Sequence, residues 1–214
     1  MKRASAFLCA FRGRSYVVTA RHVLRSDDIE YRADQVRIPM RDGINAFLSY
    51  DHSWEVPTNV ELRQEFNDLL LFRLTSPLTA DWADDRAPIA ENTPAMASAT
   101  FVSGGDFAVS GYPGLGDNDI DYDADTITNQ RFIVQCDYIG PSGKYVHALR
   151  AHHKTTFEDF GGFSGAAVIA RTDYGLIPAG VVITAGAGHS SIMRFVDAEA
   201  LYRSLEGFSD QIIP

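Results

Sequence analysis

Long apolar runs are missing from this chain of 214 residues. The most membrane-like stretch, 4–11 (ASAFLCAF), is broken by Arg12 and Arg14, well short of the roughly 18 apolar residues that a spanning helix needs. It follows Met1-Lys2-Arg3 in the manner of a signal peptide, yet no small-residue cleavage site stands behind it. The expectation is a cytoplasmic protein without a membrane partner. Cysteine is nearly absent as well. Only Cys9 and Cys136 occur, each inside an apolar run (AFLCAF and RFIVQCDY), so they read as reduced, buried thiols, and no disulfide framework for secretion is evident. An excess of positive charge is also lacking. A formal net charge of −9 argues against nucleic acid or an anionic membrane surface as partner, since both require a concentrated basic face.

What is present is apolar material, 45% of all residues, enough to fill a core without disulfides or metals. It is arranged as short clusters rich in Val, Ile, Phe and Tyr between Gly, Pro and Asp turns. The clusters are 15–19 (SYVVT), 68–74 (DLLLFRL), 107–112 (FAVSGY), 131–138 (RFIVQCDY), 166–170 (AAVIA) and 179–184 (AGVVIT). Such clusters predict strands, and many short strands in one domain-sized chain predict a barrel or a sandwich. One helix is expected near the end, capped by Asp197, with Ala200, Leu201 and Leu205 on one face and Gly207 as its stop. The stretch 76–99 carries Pro77, Pro88 and Pro94 with little periodicity and reads as a connector, dividing the chain into 1–90 and 91–214.

Three segments set a reactive side chain at the end of an apolar strand. In Tyr16-Val17-Val18-Thr19-Ala20-Arg21-His22 a strand runs through small residues into a histidine able to act as a general base; an ordinary core or surface histidine is the alternative. In Asn67-Asp68-Leu69-Leu70-Leu71-Phe72-Arg73-Leu74 an acid opens the strand. A carboxylate placed there must find a partner, and an imidazole N–H would satisfy it, although a simple turn cap is the other reading. In Phe160-Gly161-Gly162-Phe163-Ser164-Gly165-Ala166-Ala167-Val168 a serine sits among glycines. Its hydroxyl is a poor nucleophile until a base removes the proton, and nearby glycines let backbone N–H groups converge on a developing oxyanion.

In the order His22, Asp68, Ser164, these segments resemble the trypsin/chymotrypsin family of serine peptidases in its disulfide-free, bacterial-type form. Thr19-Ala20-Arg21-His22 resembles that family's Thr-Ala-Ala-His, and Asn67-Asp68-Leu69-Leu70-Leu71-Phe72 its Asn-Asp-Ile-Ala-Leu-Leu. Gly162-Phe163-Ser164-Gly165-Ala166-Ala167-Val168 resembles its Gly-Asp-Ser-Gly-Gly-Pro-Val. Further likeness runs from 6–11 through Val109-Ser110-Gly111-Tyr112-Pro113 to 180–184.

The resemblance implies an all-β fold of two antiparallel six-stranded β-barrels with a short C-terminal α-helix. Residues 1–90 would carry His22 and Asp68, and 91–214 would carry Ser164. It further implies that Ser164 attacks the scissile carbonyl, His22 takes and returns the proton, Asp68 orients His22, and the N–H groups of Gly162 and Ser164 form the oxyanion hole. No metal and no cofactor are implied. The substrate would be a protein or peptide lying against Ile183, Thr184 and Ala185. Glu158 stands where trypsin-like members place the acid that binds Lys or Arg, with Asp159 an adjacent alternative.

Some positions depart from the pattern. Phe163 replaces the aspartate that in secreted members pairs with a newly cut N-terminus, so the expectation is control by a regulatory protein partner or by ordering of the loop instead of by trimming. Ala166-Ala167 replaces Gly-Pro, and Ser5-Ala6 replaces Ser/Thr-Gly. A catalytically silent binding module with the same barrels is the rival reading. An esterase of the α/β-hydrolase type is disfavoured, because there the local motif is Gly-x-Ser-x-Gly and the histidine comes last.

The acidic stretch 117–125 (DNDIDYDAD) has Tyr122 where a calcium loop wants glycine and Thr128 where it wants glutamate, so it reads as a solvated turn. His147, His152 and His153 lack the cysteine or acid spacing of a zinc site. With His52 and His189 they are assigned surface or loop roles.

Overall fold

Arg12 and Gly13, both at positive φ (48° and 69°), make the two-residue turn that joins β1 (Phe7–Phe11) to β2 (Arg14–Ala20) as a hairpin. The computed structural model describes residues 4–26, 29–38, 47–55, 68–76, 89, 95–113, 120–121, 126–127, 131–152, 161–185 and 190–212. After β2 come a 3-10 turn, Arg21–Leu24, and a small ribbon of β3 (Arg25–Ser26) with β4 (Ile29–Glu30). Strands β5 (Tyr50–Glu55) and β6 (Leu69–Leu74) complete an antiparallel sheet in the order β1-β2-β6-β5. All six side chains of β6 are buried because the strand is covered on both faces. Leu69 and Leu71 point to one core, and Leu70, Phe72 and Leu74 to another with Leu8, Val17 and Leu24. The outer edge of β1 is taken by Ile89, whose N–H and carbonyl bond to Leu8 and Ala10. Among the described residues this first sheet is open, not closed into a barrel.

The second half does close. Strands β7 (Asp106–Gly111), β10 (Phe132–Gly143), β11 (Val146–Ala151), β12 (Ala167–Thr172), β13 (Gly175–Ala185) and β14 (Ile192–Asp197) form a six-stranded barrel. Its order is β10-β11-β14-β13-β12-β7, with β7 returning to β10, and every pairing is antiparallel. The short pair β8 (Ile120–Asp121) and β9 (Thr126–Ile127) stands apart; the remainder of the acidic stretch 117–125 lies outside the described residues. The barrel interior holds Phe107, Val109, Leu149, Val168, Met193 and Phe195.

Helix α1 (Ala198–Ile212) begins where expected, the Asp197 carboxylate accepting the Ala200 N–H at 2.9 Å as an N-cap. It does not stop at Gly207. The next residue, Phe208, stacks on Trp54 of β5 and leans on Tyr16 of β2, both at 5.8 Å between ring centres. That aromatic contact outweighs the roughly 1 kcal/mol by which glycine weakens a helix interior. The helix therefore closes a shared core. Cys9, Tyr16, Val18, Leu69 and Leu71 of the first sheet meet Val181, Ile183 and Val196 of the barrel wall and Leu201, Leu205 and Phe208 of the helix. This shared core holds the sheet and the barrel in one fixed relation.

Candidate active site

The register of β2 against β6 brings His22 and Asp68 together. Ala20 pairs with Leu69, so the residues just beyond meet across the strand ends. The Arg21 N–H donates to the Asp68 carbonyl at 2.7 Å, and the His22 N–H donates to Asp68 Oδ1 at 2.7 Å. Asp68 Oδ2 then lies 2.5 Å from His22 Nδ1. Arg21 is braced to β5 by an ion pair with Glu55 at 2.6 Å. A carboxylate oxygen facing Nδ1 favours the Nδ1–H tautomer, which places the imidazole lone pair on Nε2.

That lone pair faces Ser164, whose Oγ is 2.8 Å from His22 Nε2. Ser164 comes from the other half, on the turn that leads into β12. The three side chains thus form one hydrogen-bonded chain, with His22 37% and Asp68 24% exposed, open enough to be reached from solvent.

The serine turn is fixed almost peptide by peptide. Gly162 at φ +91° and Gly165 at φ +87° adopt the left-handed backbone that favours glycine. Ala166 N–H donates to the Phe163 carbonyl at 2.8 Å, and because that peptide is trans, the Ser164 N–H is turned to the opposite side. Gly165 N–H donates to Val182 of β13 at 2.7 Å. The N–H groups of Gly162 and Ser164 have no acceptor among the described residues. Beneath the turn, the Phe163 ring is fully buried in the barrel core with Phe107, Val109 and Ala166.

Sequence reasoning passed over Ser5, noted only as a departure from the family pattern. It is 1% exposed and touches the serine turn directly: its N–H donates to the Ser164 carbonyl at 3.0 Å and its hydroxyl to the Gly162 carbonyl at 2.6 Å. The one available signal was a small polar residue opening an apolar strand.

The other candidates divide. Ile183 is buried in the shared core, so it can offer only backbone to a ligand, whereas Thr184 is exposed and Ala185 half-buried. On the side facing β12, β13 is paired up to Val181 opposite Ala167, and Val182 N–H still donates to Ala166 at 2.9 Å. Past that point, 183–185 have no partner strand on this side among the described residues. Glu158 and Asp159 lie outside the described residues.

His147 is not a surface or loop residue. It sits in β11, buried, between Tyr138 Oη at 2.9 Å from Nδ1 and Asp197 Oδ2 at 3.2 Å from Nε2. His52 touches Arg73 at 2.8 Å and His152 touches Asp137 at 2.6 Å; His153 and His189 lie outside the described residues. Both cysteines are buried and outside any disulfide, and burial pushes the Cys136 thiol up to about 12, which leaves it without thiolate reactivity near neutrality. Among the described residues no helix is long and apolar enough to cross a membrane. No protein-family model matches this chain, and no curated protein matches it either.

Proposed function

We propose that the chain is a serine endopeptidase that hydrolyses peptide bonds through an acyl-enzyme intermediate. The observation that carries this reading is the unbroken chain from Ser164 Oγ to His22 Nε2 at 2.8 Å and from His22 Nδ1 to Asp68 Oδ2 at 2.5 Å. With the proton held on Nδ1, Nε2 takes the serine proton as Oγ attacks the carbonyl carbon, and Asp68 stabilises the imidazolium that results. The same proton passes to the leaving amine. Water then repeats the sequence on the acyl-enzyme.

The oxyanion that forms in each half-reaction is received by the N–H groups of Gly162 and Ser164. Each such donor is worth roughly 3 to 4 kcal/mol to the transition state. An extended substrate pairs along 183–185 of β13, which has no partner strand on the side facing β12 among the described residues, with Thr184 and Ala185 beside it. Glu158 is the candidate acid for a basic side chain ahead of the scissile bond. A second barrel, built on the sheet β1-β2-β6-β5, completes the family architecture in this reading.

The test is labelling with a fluorophosphonate probe. The wild type is expected to label at Ser164 and to cleave fluorogenic peptides, while Ser164→Ala and His22→Ala do neither. Absence of Ser164 labelling in the wild type would refute the proposal.

A further inference from the structure

We infer that Ser5 is a positioning residue for the oxyanion-binding turn, an inference that rests on the peptidase reading above. Every polar atom of Ser5 is engaged, and every partner belongs to a segment that converges on Ser164. Its N–H donates to the Ser164 carbonyl at 3.0 Å. Its hydroxyl donates to the Gly162 carbonyl at 2.6 Å and accepts the Tyr112 N–H, just past β7, at 2.8 Å. Its carbonyl accepts the Thr19 hydroxyl of β2 at 2.7 Å.

A hydroxyl has one proton to donate, and the Tyr112 N–H needs an acceptor, so that proton is committed to the Gly162 carbonyl. The carbonyl of Gly162 belongs to the peptide that lies between the two proposed oxyanion donors. Pinning it fixes the torsions on both sides, and the Ser164 carbonyl is pinned two peptides further on by the Ser5 N–H. The hydroxyl lies over Gly111, where a Cβ would fall 2.7 Å from Ser5 Oγ, 2.8 Å from the Phe163 ring and 2.9 Å from the Ala166 methyl, so the glycine leaves the room that this packing needs. The side chain beneath the turn is the uncharged Phe163 ring. Ser5, two residues ahead of β1, orders the turn from the side of the first sheet.

The test compares Ser5→Ala with Ser204→Ala. The latter removes another buried hydroxyl, bonded at 2.8 Å within α1 to the Ala200 carbonyl and not to the turn. In Ser5→Ala, kcat is expected to fall about 10- to 100-fold with KM unchanged, less than the loss of a whole oxyanion donor. Affinity for a peptidyl boronate, which places an oxygen in the oxyanion site, falls by a similar factor. The fluorophosphonate titre stays at that of the wild type, and Ser204→Ala keeps its kcat. An unchanged kcat in Ser5→Ala overturns the inference, as does a fall matched by the lost titre, because a smaller folded fraction would then explain it.

Amide hydrogen exchange over 161–166 reads the same claim without activity. Faster exchange in Ser5→Ala but not in Ser204→Ala supports the positioning role even if the wild type fails to label, whereas equal exchange overturns it. Failure of wild-type labelling refutes the peptidase reading alone.

Discussion

The carbonyl oxygen of Ser5 occupies the space in which a side chain on Gly165 would begin. A Cβ at that position would lie 2.1 Å from it and 2.3 Å from Thr19 Oγ1. Neither obstacle yields cheaply, since one is backbone and the other is the hydroxyl that donates to it. The φ of +87° adds strain for any residue with a Cβ. Gly165→Ala is therefore expected to destabilise the protein by about 3 kcal/mol or more and to abolish Ser164 labelling. Urea unfolding reads the first effect and the fluorophosphonate probe the second. An unchanged unfolding midpoint would mean that the first strand does not close on the serine turn in solution.

Asp68→Asn isolates the tautomer from the fold. Oδ1 must still accept the His22 backbone N–H, so the asparagine turns its NH2 group toward Nδ1. Nδ1 then becomes the acceptor, the ring proton moves to Nε2, and Nε2 loses the lone pair that faces Ser164. The expected result is a loss in kcat on the order of 10⁴-fold with little change in KM or in thermal stability. A variant with more than a tenth of wild-type kcat would show that Asp68 does not set the tautomer.

The residues at the site were legible because each sits at the end of an unmistakable strand. Val17-Val18 and 69–72 could only be buried, and one antiparallel register then puts their polar neighbours side by side. Strand β5 was not legible. Its sequence YDHSWE has an exposed middle, and it earns its place through Trp54 under the helix and Asp51 against Arg73. Strands β11 and β14 hide a functionless-looking histidine and a capping aspartate whose partnership is visible only once the barrel has closed. Ser5 fails for the same reason. The partners of its hydroxyl are 107 and 157 residues away, and no local pattern announces such bonds.

Phe163→Asp tests whether the turn could use a charged side chain in place of the buried ring. The ring is fully buried among barrel residues, with Gly111 against it. A carboxylate there would be desolvated, and the ring's volume would be lost as well. The expected cost is about 3 to 5 kcal/mol, read as a large drop in thermal midpoint. Trimming the first residues is not expected to rescue it. Recovery of activity on trimming would contradict the assignment of that space to an apolar side chain.

The remaining prediction concerns pH and the first sheet. Arg73 is 7% exposed in β6, and its Nε and Nη2 reach Asp51 of β5 at 2.8 and 2.5 Å. Hydrogen bonding from Arg73 holds the Asp51 carboxyl down at about 2, below its ordinary value of 3.8. A carboxyl whose folded value is depressed adds stability above its unfolded value, and that contribution fades as pH falls from 4 toward 2. Asp51 is 37% exposed, so solvent screening keeps the contribution small, on the order of 1 kcal/mol at pH 7. Urea unfolding of the wild type and Asp51→Asn should differ at pH 7 and converge as the pH approaches 2. Arg73→Leu should remove the same pH dependence while filling the buried space. A gap between wild type and Asp51→Asn that persists unchanged at pH 2.5 would show that the pair acts through packing and not through charge.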